Sequence, residues 1–481
     1  MKKILFIVLV LFVVSSCTKL EDMNEDTKRP TVVPSETLFT NAQRNLADQL
    51  ASINVNTNVF KLFSQYITET TYTDEANYDV INRGIPDNAF RTFYKDVLMD
   101  LKESVKVMDT EPAPVLDEDK KNFANRKAVI ELIRIYTFNR LIDIFGNVPY
   151  GEALDIDNVN PAYDDAATIY ATLFTDLDNA IAILTAGAGE GSFGGADIIY
   201  GGDDAKWLMF ANGLKLKMAI HISDAPGSID INKAITEAAP GVFTSNDDNA
   251  LFNYLGASPN TNPLYLDLVA SGRHDFVATN TMVDTMLAMG DTIRLGLYYS
   301  KVKDTIASEA FKGAPYGYNS PYDDYSHLNS TLENPTFPCV IMDYTEIQFY
   351  LAEAAQKSLG GVSGAGTYYD AAVTSSFEYW GSDAAAASAY LATNPYSDLN
   401  SIGIQAWIAF FNRGFFGFTS WRRLDTPTFN DPPENAIGAG KFPYRYTYPN
   451  NEQTLNGTNH AAASTAIGGD KLDTKLFWDI H

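Results

Sequence analysis

Apolar residues recur at three- and four-residue spacings in one long segment after another, and this period limits the fold more than any other feature of the chain. Between Asn125 and Phe145 they fall at Val129, Leu132, Ile133, Tyr136, Leu141 and Ile144. An α-helix gathers positions so spaced onto one face, whereas a strand alternates its faces. Gly146 follows directly and Pro149 lies just beyond, a glycine-then-proline stop for the helix. Asp165 to Leu184 repeats the pattern with Ile169, Leu173, Leu177, Ile181 and Leu184. The spacing predicts further helices over Ala205–Ile222, Tyr344–Lys357, Tyr368–Trp380 and Ile402–Asn412, and helical structure over 36–70 and 90–109. Strand signals are few and short. The fold class is therefore mainly α. Ala352-Glu353-Ala354-Ala355 allows close helix approach, and paired helices of these lengths suggest tetratricopeptide-like packing, although no clean repeat of about 34 residues is present.

Long loops separate the helices: 71–89, 186–203, 253–275, 303–340 and 425–470. They are rich in Tyr, Asn, Asp, Gly and Pro. Loops of this length in a compact domain are usually functional or disordered. The chain has 28 Phe and 27 Tyr. Phenylalanine belongs in the core, and tyrosine-rich loops are the less ordinary feature. No charged linker divides the chain after the N-terminal region, so residues 35–481 are expected to form one domain.

Met1-Lys2-Lys3 is a short positive start, and Ile4 to Val14 is an unbroken apolar run. That run is too short for a bilayer core of about 30 Å and has the length of a signal-peptide apolar region. Val14-Ser15-Ser16-Cys17 puts small residues directly before a cysteine, similar to the lipobox of bacterial lipoproteins. Residues 1–16 are thus expected to be a lipoprotein signal peptide, Cys17 the lipidated residue, and 17–34 a flexible tether. Acidic residues Glu21, Asp22, Glu25 and Asp26 close behind the cysteine resemble surface-export signals of some Bacteroidetes lipoproteins. A single acyl chain anchors marginally and two or more anchor stably.

The formal charge is -25. Such a surface repels phosphate backbones, which argues against nucleic acid as a partner. The cysteines are Cys17 and Cys339. With lipid on Cys17, no disulfide framework is available and the fold rests on its core. Cys339, between Pro338 and Val340, reads as a small buried apolar residue.

Enzyme motifs are missing. No H-E-x-x-H occurs, and His221, His274, His327, His460 and His481 are scattered without ligand spacing. Gly361 to Thr367 lacks the lysine of a phosphate loop. No G-x-S-x-G elbow is present. Sixty acidic residues guarantee chance carboxylate pairs, so none stands out as a glycosidase pair.

Four ordered segments resemble the SusD/RagB family of Bacteroidetes outer-membrane lipoproteins, in its SusD-like branch. They are Arg134 to Leu154, with Asp143-Ile144-Phe145-Gly146-Asn147-Val148-Pro149-Tyr150-Gly151-Glu152-Ala153; Tyr344 to Ala354; Gln405 to Ala409 with Trp421-Arg422-Arg423 and Pro427; and Pro443-Tyr444-Arg445-Tyr446 with Tyr448 to Glu452, closing on Phe477-Trp478-Asp479. Two departures are Asp291-Thr292-Ile293-Arg294, where the family often has Asp-Pro-Arg, and the aromatic run Phe415-Phe416-Gly417-Phe418. The shared segments read mainly as scaffold: Trp407 and Trp421 as core aromatics, Arg422 and Arg423 as partners of buried or interhelical carboxylates.

The resemblance implies a helical scaffold with a loop-rich ligand face and no chemistry of its own. It implies a cell-surface protein on the outer membrane that captures glycans and delivers them to a SusC-like TonB-dependent transporter. A peptide-binding member of the same family and a lipid-anchored glycan hydrolase are the alternatives. Sugars stack apolar faces on aromatic rings and bond hydroxyls to polar groups. Two loops offer both: Tyr72 to Asp79 with Asn82-Arg83, and Tyr316 to Tyr325. The candidate ligand residues are Tyr72, Asn77, Tyr78, Arg83, Tyr316, Tyr318 and Tyr322. Asp323-Asp324 is a candidate for a structural calcium ion, without the spacing of an EF-hand. No other cofactor is expected.

Overall fold

The structure, a computed structural model, describes residues 33–305 and 308–481. Residues 1–32, with Cys17 and nearly all of the expected tether, lie outside the described residues.

In chain order the helices are α1 (Ser35–Ala51), α2 (Phe60–Phe63), α3 (Ile85–Arg91), α4 (Met99–Met108), α5 (Asp117–Phe145), α6 (Ala166–Ala186), α7 (Asp204–His221), α8 (Ile231–Ala238), α9 (Asn280–Ala288), α10 (Thr292–Tyr298), α11 (Tyr344–Gln356), α12 (Ala365–Tyr379), α13 (Ala384–Leu391), α14 (Leu399–Ala409), α15 (Gly414–Leu424), α16 (Asn450–Leu455) and α17 (Gly457–Ala466). A π-helical turn, Thr92–Leu98, joins α3 to α4. The helices pack as successive pairs, α1 with α4, α5 with α6, α7 with α8, α11 with α12 and α14 with α15, with α7 bridging α6 and α11. This is the mainly α, tetratricopeptide-like packing expected from the periodicity.

The strands are β1 (Ile67–Glu69), β2 (Ala250–Phe252), β3 (Phe276–Ala278), β4 (Val302–Thr305), β5 (Ser308–Ala310) and β6 (Cys339–Met342). They form antiparallel two-stranded ladders, β1 with β3, β2 with β6 and β4 with β5. The ladders pin long loops to the helices rather than building a sheet layer.

Several boundaries differ from those the periodicity predicts. Helix α5 starts at Asp117 rather than Asn125. Its first turn carries Asp117, Glu118 and Asp119, which suit the positive end of the helix dipole but leave no apolar period to read. The segment 36–70 is not one helix. Asn54 Oδ1 accepts the Asn56 N–H at 3.0 Å and Asn58 Oδ1 accepts the Phe60 N–H at 3.0 Å, and such side-chain turns compete with helical bonding. The 425–470 segment, expected to be loop, contains α16 and α17. Gly146 does end α5, with φ +84° and its N–H on Ile142 O at 2.8 Å.

The aromatic run Phe415–Phe418 lies in helix α15. Asn412 takes φ +66° and breaks α14 from α15. Helix α15 then lays Phe415 and Phe416 against the Arg140 guanidinium, 4.6 and 4.3 Å from the ring centroids. Gly417 is required there, because a Cβ would stand 2.0 Å from the Tyr66 hydroxyl, which donates to Trp407 O at 2.6 Å.

The most recognisable residues are scaffold. Trp407 is fully buried and donates to Ser64 O at 2.9 Å. Arg423 pairs with Glu353, as expected for an interhelical arginine. Arg422 instead donates to main-chain carbonyls, Asp143 O at 2.8 Å and Tyr444 O at 2.7 Å. The Asp291–Arg294 turn keeps its pairing without proline: Asp291 caps α10, and its carboxylate lies 2.6 Å from Arg294 Nη2 with both side chains fully buried. Asp143 accepts from Tyr170 and Trp478, each at 3.1 Å, and faces His221 Nδ1 at 3.3 Å.

Candidate ligand-binding site

The β1–β3 ladder sets Glu69 opposite Phe276, and Thr70 N–H extends it by donating to Asp275 O at 2.8 Å. Segment 271–276 thereby lies beside the start of the Tyr72–Arg83 loop. The third wall is the 316–327 segment: Gly317 N–H donates to Thr68 Oγ1 at 3.0 Å and Ser320 N–H to Thr70 O at 3.1 Å. The two tyrosine loops proposed from sequence are thus joined, together with a segment that sequence reasoning left out.

Asn77 is the clamp between them. Its Nδ2 donates to Thr73 O and Gly317 O, both at 2.8 Å, and its Oδ1 accepts Glu434 N–H at 2.8 Å. With every polar atom so engaged and the residue 3% exposed, Asn77 has none left for a ligand. Tyr78 and Tyr316 are likewise corrected from ligand residues to anchors. They are 1% and 2% exposed. Tyr316 donates to Leu62 O at 3.0 Å, and Tyr78 packs edge-on against Phe63 at 5.7 Å. Neither offers a ring face to solvent, because both fill the joint between loops and scaffold. Gly317, at φ +78°, fits only without a side chain: a Cβ would stand 2.6 Å from Pro432.

Tyr72, Tyr318, Tyr322 and Arg83 remain at the surface. Tyr72 is 78% exposed and Tyr318 52%. Tyr72 takes φ +55°, a left-handed conformation uncommon for a bulky residue and of a kind that collects at functional sites. Tyr72 lines an open cleft of about 310 Å³, shared with Arg83, Arg273, Asp275, Phe276 and Glu69. Tyr322 is half-buried, its ring stacked between His274 and His327 at centroid distances of 4.2 and 4.0 Å. Asp323 and Asp324 are exposed, and no group of three or more His, Cys, Asp or Glu side chains able to hold a metal occurs among the described residues.

The cleft's charges are locally matched. Arg83 pairs with Glu75 and lies 3.7 Å from Asp74, and Arg273 pairs with Asp275. Glu69, 4% exposed, accepts Ala76 N–H at 3.0 Å. Burial, and then the charge of Glu75, push its carboxyl up to about 9, so it holds a proton at neutral pH. The result is an open aromatic cleft with guanidinium donors and little net charge, suited to a hydroxylated, uncharged ligand. Arg273, Asp275, Phe276, His274 and His327 were not legible as site residues. They arrive through pairing across more than two hundred positions (Glu69 with Phe276), which no local pattern announces.

Residues 27–449 match the SusD-like family described as starch-binding and associating with the outer membrane. The chain belongs to the SusD-like family. Solved SusD-like structures align along almost its whole length. A chitin-binding protein aligns with a TM-score of 0.79 and 25% identity, over 93% of this chain and 100% of its own. A SusD homologue from Bacteroides ovatus aligns with a TM-score of 0.78 and 23% identity, over 92% and 99%. A chitin-binding SusD homologue from Flavobacterium johnsoniae gives 0.76 and 21%, over 92% and 98%. No curated protein matches the chain. Among the described residues, no helix of this SusD-like chain is long and apolar enough to cross a membrane.

Proposed function

We propose that this SusD-like protein is a cell-surface binding subunit that captures neutral oligosaccharides in the Tyr72 cleft and hands them to a SusC-like TonB-dependent transporter. One observation carries the reading: an exposed tyrosine lines an open cleft together with two arginines. A pyranose face covers such a ring, and arginine N–H groups donate to sugar hydroxyl or amide oxygens. Family membership, and relatives named for chitin binding, support a glycan as the ligand class. The protein binds and releases its ligand and does no chemistry on it. In this reading lipid on Cys17 holds the domain at the outer membrane, facing the exterior, with residues 18–34 as slack.

Isothermal titration against chitin-, starch- and β-glucan-derived oligosaccharides tests the binding. Saturable binding of at least one, weakened about tenfold or more by Tyr72→Ala, is the expected result. Turnover of the same sugars by the pure protein would contradict it. Mass spectrometry of the mature N-terminus tests the anchor: a diacyl- or triacyl-cysteine at Cys17 is expected, and Cys17→Ala should release the protein from the membrane while leaving soluble binding unchanged.

A further inference from the structure

The loop that joins α5 to α6 carries two aliphatic side chains almost wholly in water: Ile156 is 81% exposed and Val159 78%. Leu455, at the end of α16, is 69% exposed. Scattered exposed apolar residues need no explanation. These are not scattered, because a polar frame fixes their segments together. Asn456 Nδ2 donates to Pro161 O at 2.9 Å, Asn459 Nδ2 to Asn160 O at 3.0 Å, and Tyr163 Oη to Glu452 Oε2 at 2.9 Å. With its amide set to satisfy both of its polar atoms, Asn160 donates to Leu455 O at 2.7 Å. The loop is braced from within as well: Glu152 accepts Ala162 N–H at 2.9 Å, and Asp164 accepts the N–H groups of Tyr150 and Gly151 at 2.9 and 2.8 Å.

The frame continues to the cleft. Asn450, which opens α16, donates from Nδ2 to Ile81 O at 3.3 Å, and its N–H reaches the Asp87 carboxylate at 3.1 Å. Ile81 is itself 46% exposed and stands two positions before Arg83 of the cleft wall. One line of hydrogen-bonded segments therefore runs from Ile81 across α16 to the α5–α6 loop.

The collar of this line is acidic. Residues 150–165 hold Glu152, Asp155, Asp157, Asp164 and Asp165 and no Lys or Arg. Glu452 and Asp87 add to it, and the neighbouring Lys102 is engaged on Leu154 O at 2.5 Å. A lipid surface rich in phosphate would be repelled by this collar. A protein surface with apolar sockets and a basic rim fits it, since such complementarity steers encounter while buried aliphatics hold the complex.

We propose that Ile156, Val159, Leu455 and Ile81 form the docking surface for the protein that receives the ligand, and that this partner meets them with apolar sockets rimmed by lysine or arginine. The surface borders the cleft, so a ligand released there is released against the partner. This rests on the reading of the protein as a transporter's binding subunit.

The test uses the full-length protein in its own outer membrane, with a photo-crosslinking residue at Val159, at Leu455, or at Ile183 on α6 as an exposed control. Crosslinks from Val159 and Leu455 to a TonB-dependent barrel, identified by mass spectrometry and about fivefold above Ile183, are expected. The variant Ile156→Ser/Val159→Ser/Leu455→Ser should lose co-purification with that barrel yet keep the wild-type affinity for oligosaccharide in isolation. A barrel crosslinked from Ile183 but not from Val159 or Leu455, or co-purifying undiminished with the triple variant, would overturn the surface and leave the binding-subunit reading intact. No barrel crosslinking or co-purifying with any form would overturn both.

Discussion

The phenol ring of Tyr322 lies parallel to the imidazole of His327, with centroids 4.0 Å apart and planes 4° apart. His274 covers the other face at 4.2 Å and 10°. Two loops far apart in sequence are thus held in one aromatic column. His327 is fixed in turn by Ser300, whose Oγ lies 3.0 Å from Nδ1. The column gives Tyr322 a structural task.

Tyr322→Ala should therefore lower stability by about 1–3 kcal/mol, the sum of two aromatic contacts of about 0.5–1.5 kcal/mol each. Tyr322→Phe keeps the stack and should stay close to wild type. Denaturant unfolding of both variants checks this.

Burial separates the tyrosines that were indistinguishable in sequence. Tyr72→Ala should change stability by less than about 0.5 kcal/mol while weakening oligosaccharide binding, because its ring is exposed. Tyr78→Ala and Tyr316→Ala should each destabilise by about 3 kcal/mol, because their rings fill the loop–scaffold joint. Unfolding midpoints measured beside titration calorimetry separate the two classes.

Gly317→Ala should detach the 316–327 segment. It demands a left-handed φ from alanine and drives a Cβ into Pro432. A loss of more than about 1 kcal/mol is expected, with faster amide exchange at Ser320, which bonds Thr70. Thermal unfolding and hydrogen exchange report both effects.

Two buried groups give stability opposite pH slopes. His221, between Asp143 and Tyr350, is driven by burial down to about 4 against the pull of Asp143. Its folded value lies below the unfolded 6.5, so its contribution is present above pH 6.5 and lost as pH falls towards 4. Glu69 behaves in the other sense. Its raised value makes its contribution full below the ordinary carboxyl value of 4.5, and that contribution is lost as pH rises towards 9. Glu69→Gln imitates the protonated form and should flatten the alkaline slope of unfolding free energy while leaving the acid slope alone. His221→Gln should flatten the slope between pH 4 and 6.5. Denaturant titrations across pH read both.

The helical scaffold was legible because its periodic faces are local. The stop at Gly146 and the α6, α7 and α11 spans needed only neighbours within a turn or two. Helices α16 and α17 were missed because Asn, Thr and Ala leave no apolar stripe to read. The site was half legible. Composition pointed to the two tyrosine loops, and the structure joins them through Asn77 and Gly317. It could not tell Tyr72 from Tyr78, since the same residue type serves as exposed platform and as buried anchor. Nor could it find Arg273 or Phe276, which β1–β3 pairing brings in from afar.

We propose that the exposed side chain of Tyr72 and the arginines that share its cleft hold a sugar. A crystal structure with an oligosaccharide the protein binds in solution tests it most directly. The expected result is a pyranose ring stacked on Tyr72, with a hydroxyl or amide oxygen within hydrogen-bonding distance of Arg83 or Arg273. A sugar bound elsewhere on the molecule, with this cleft empty, would contradict it.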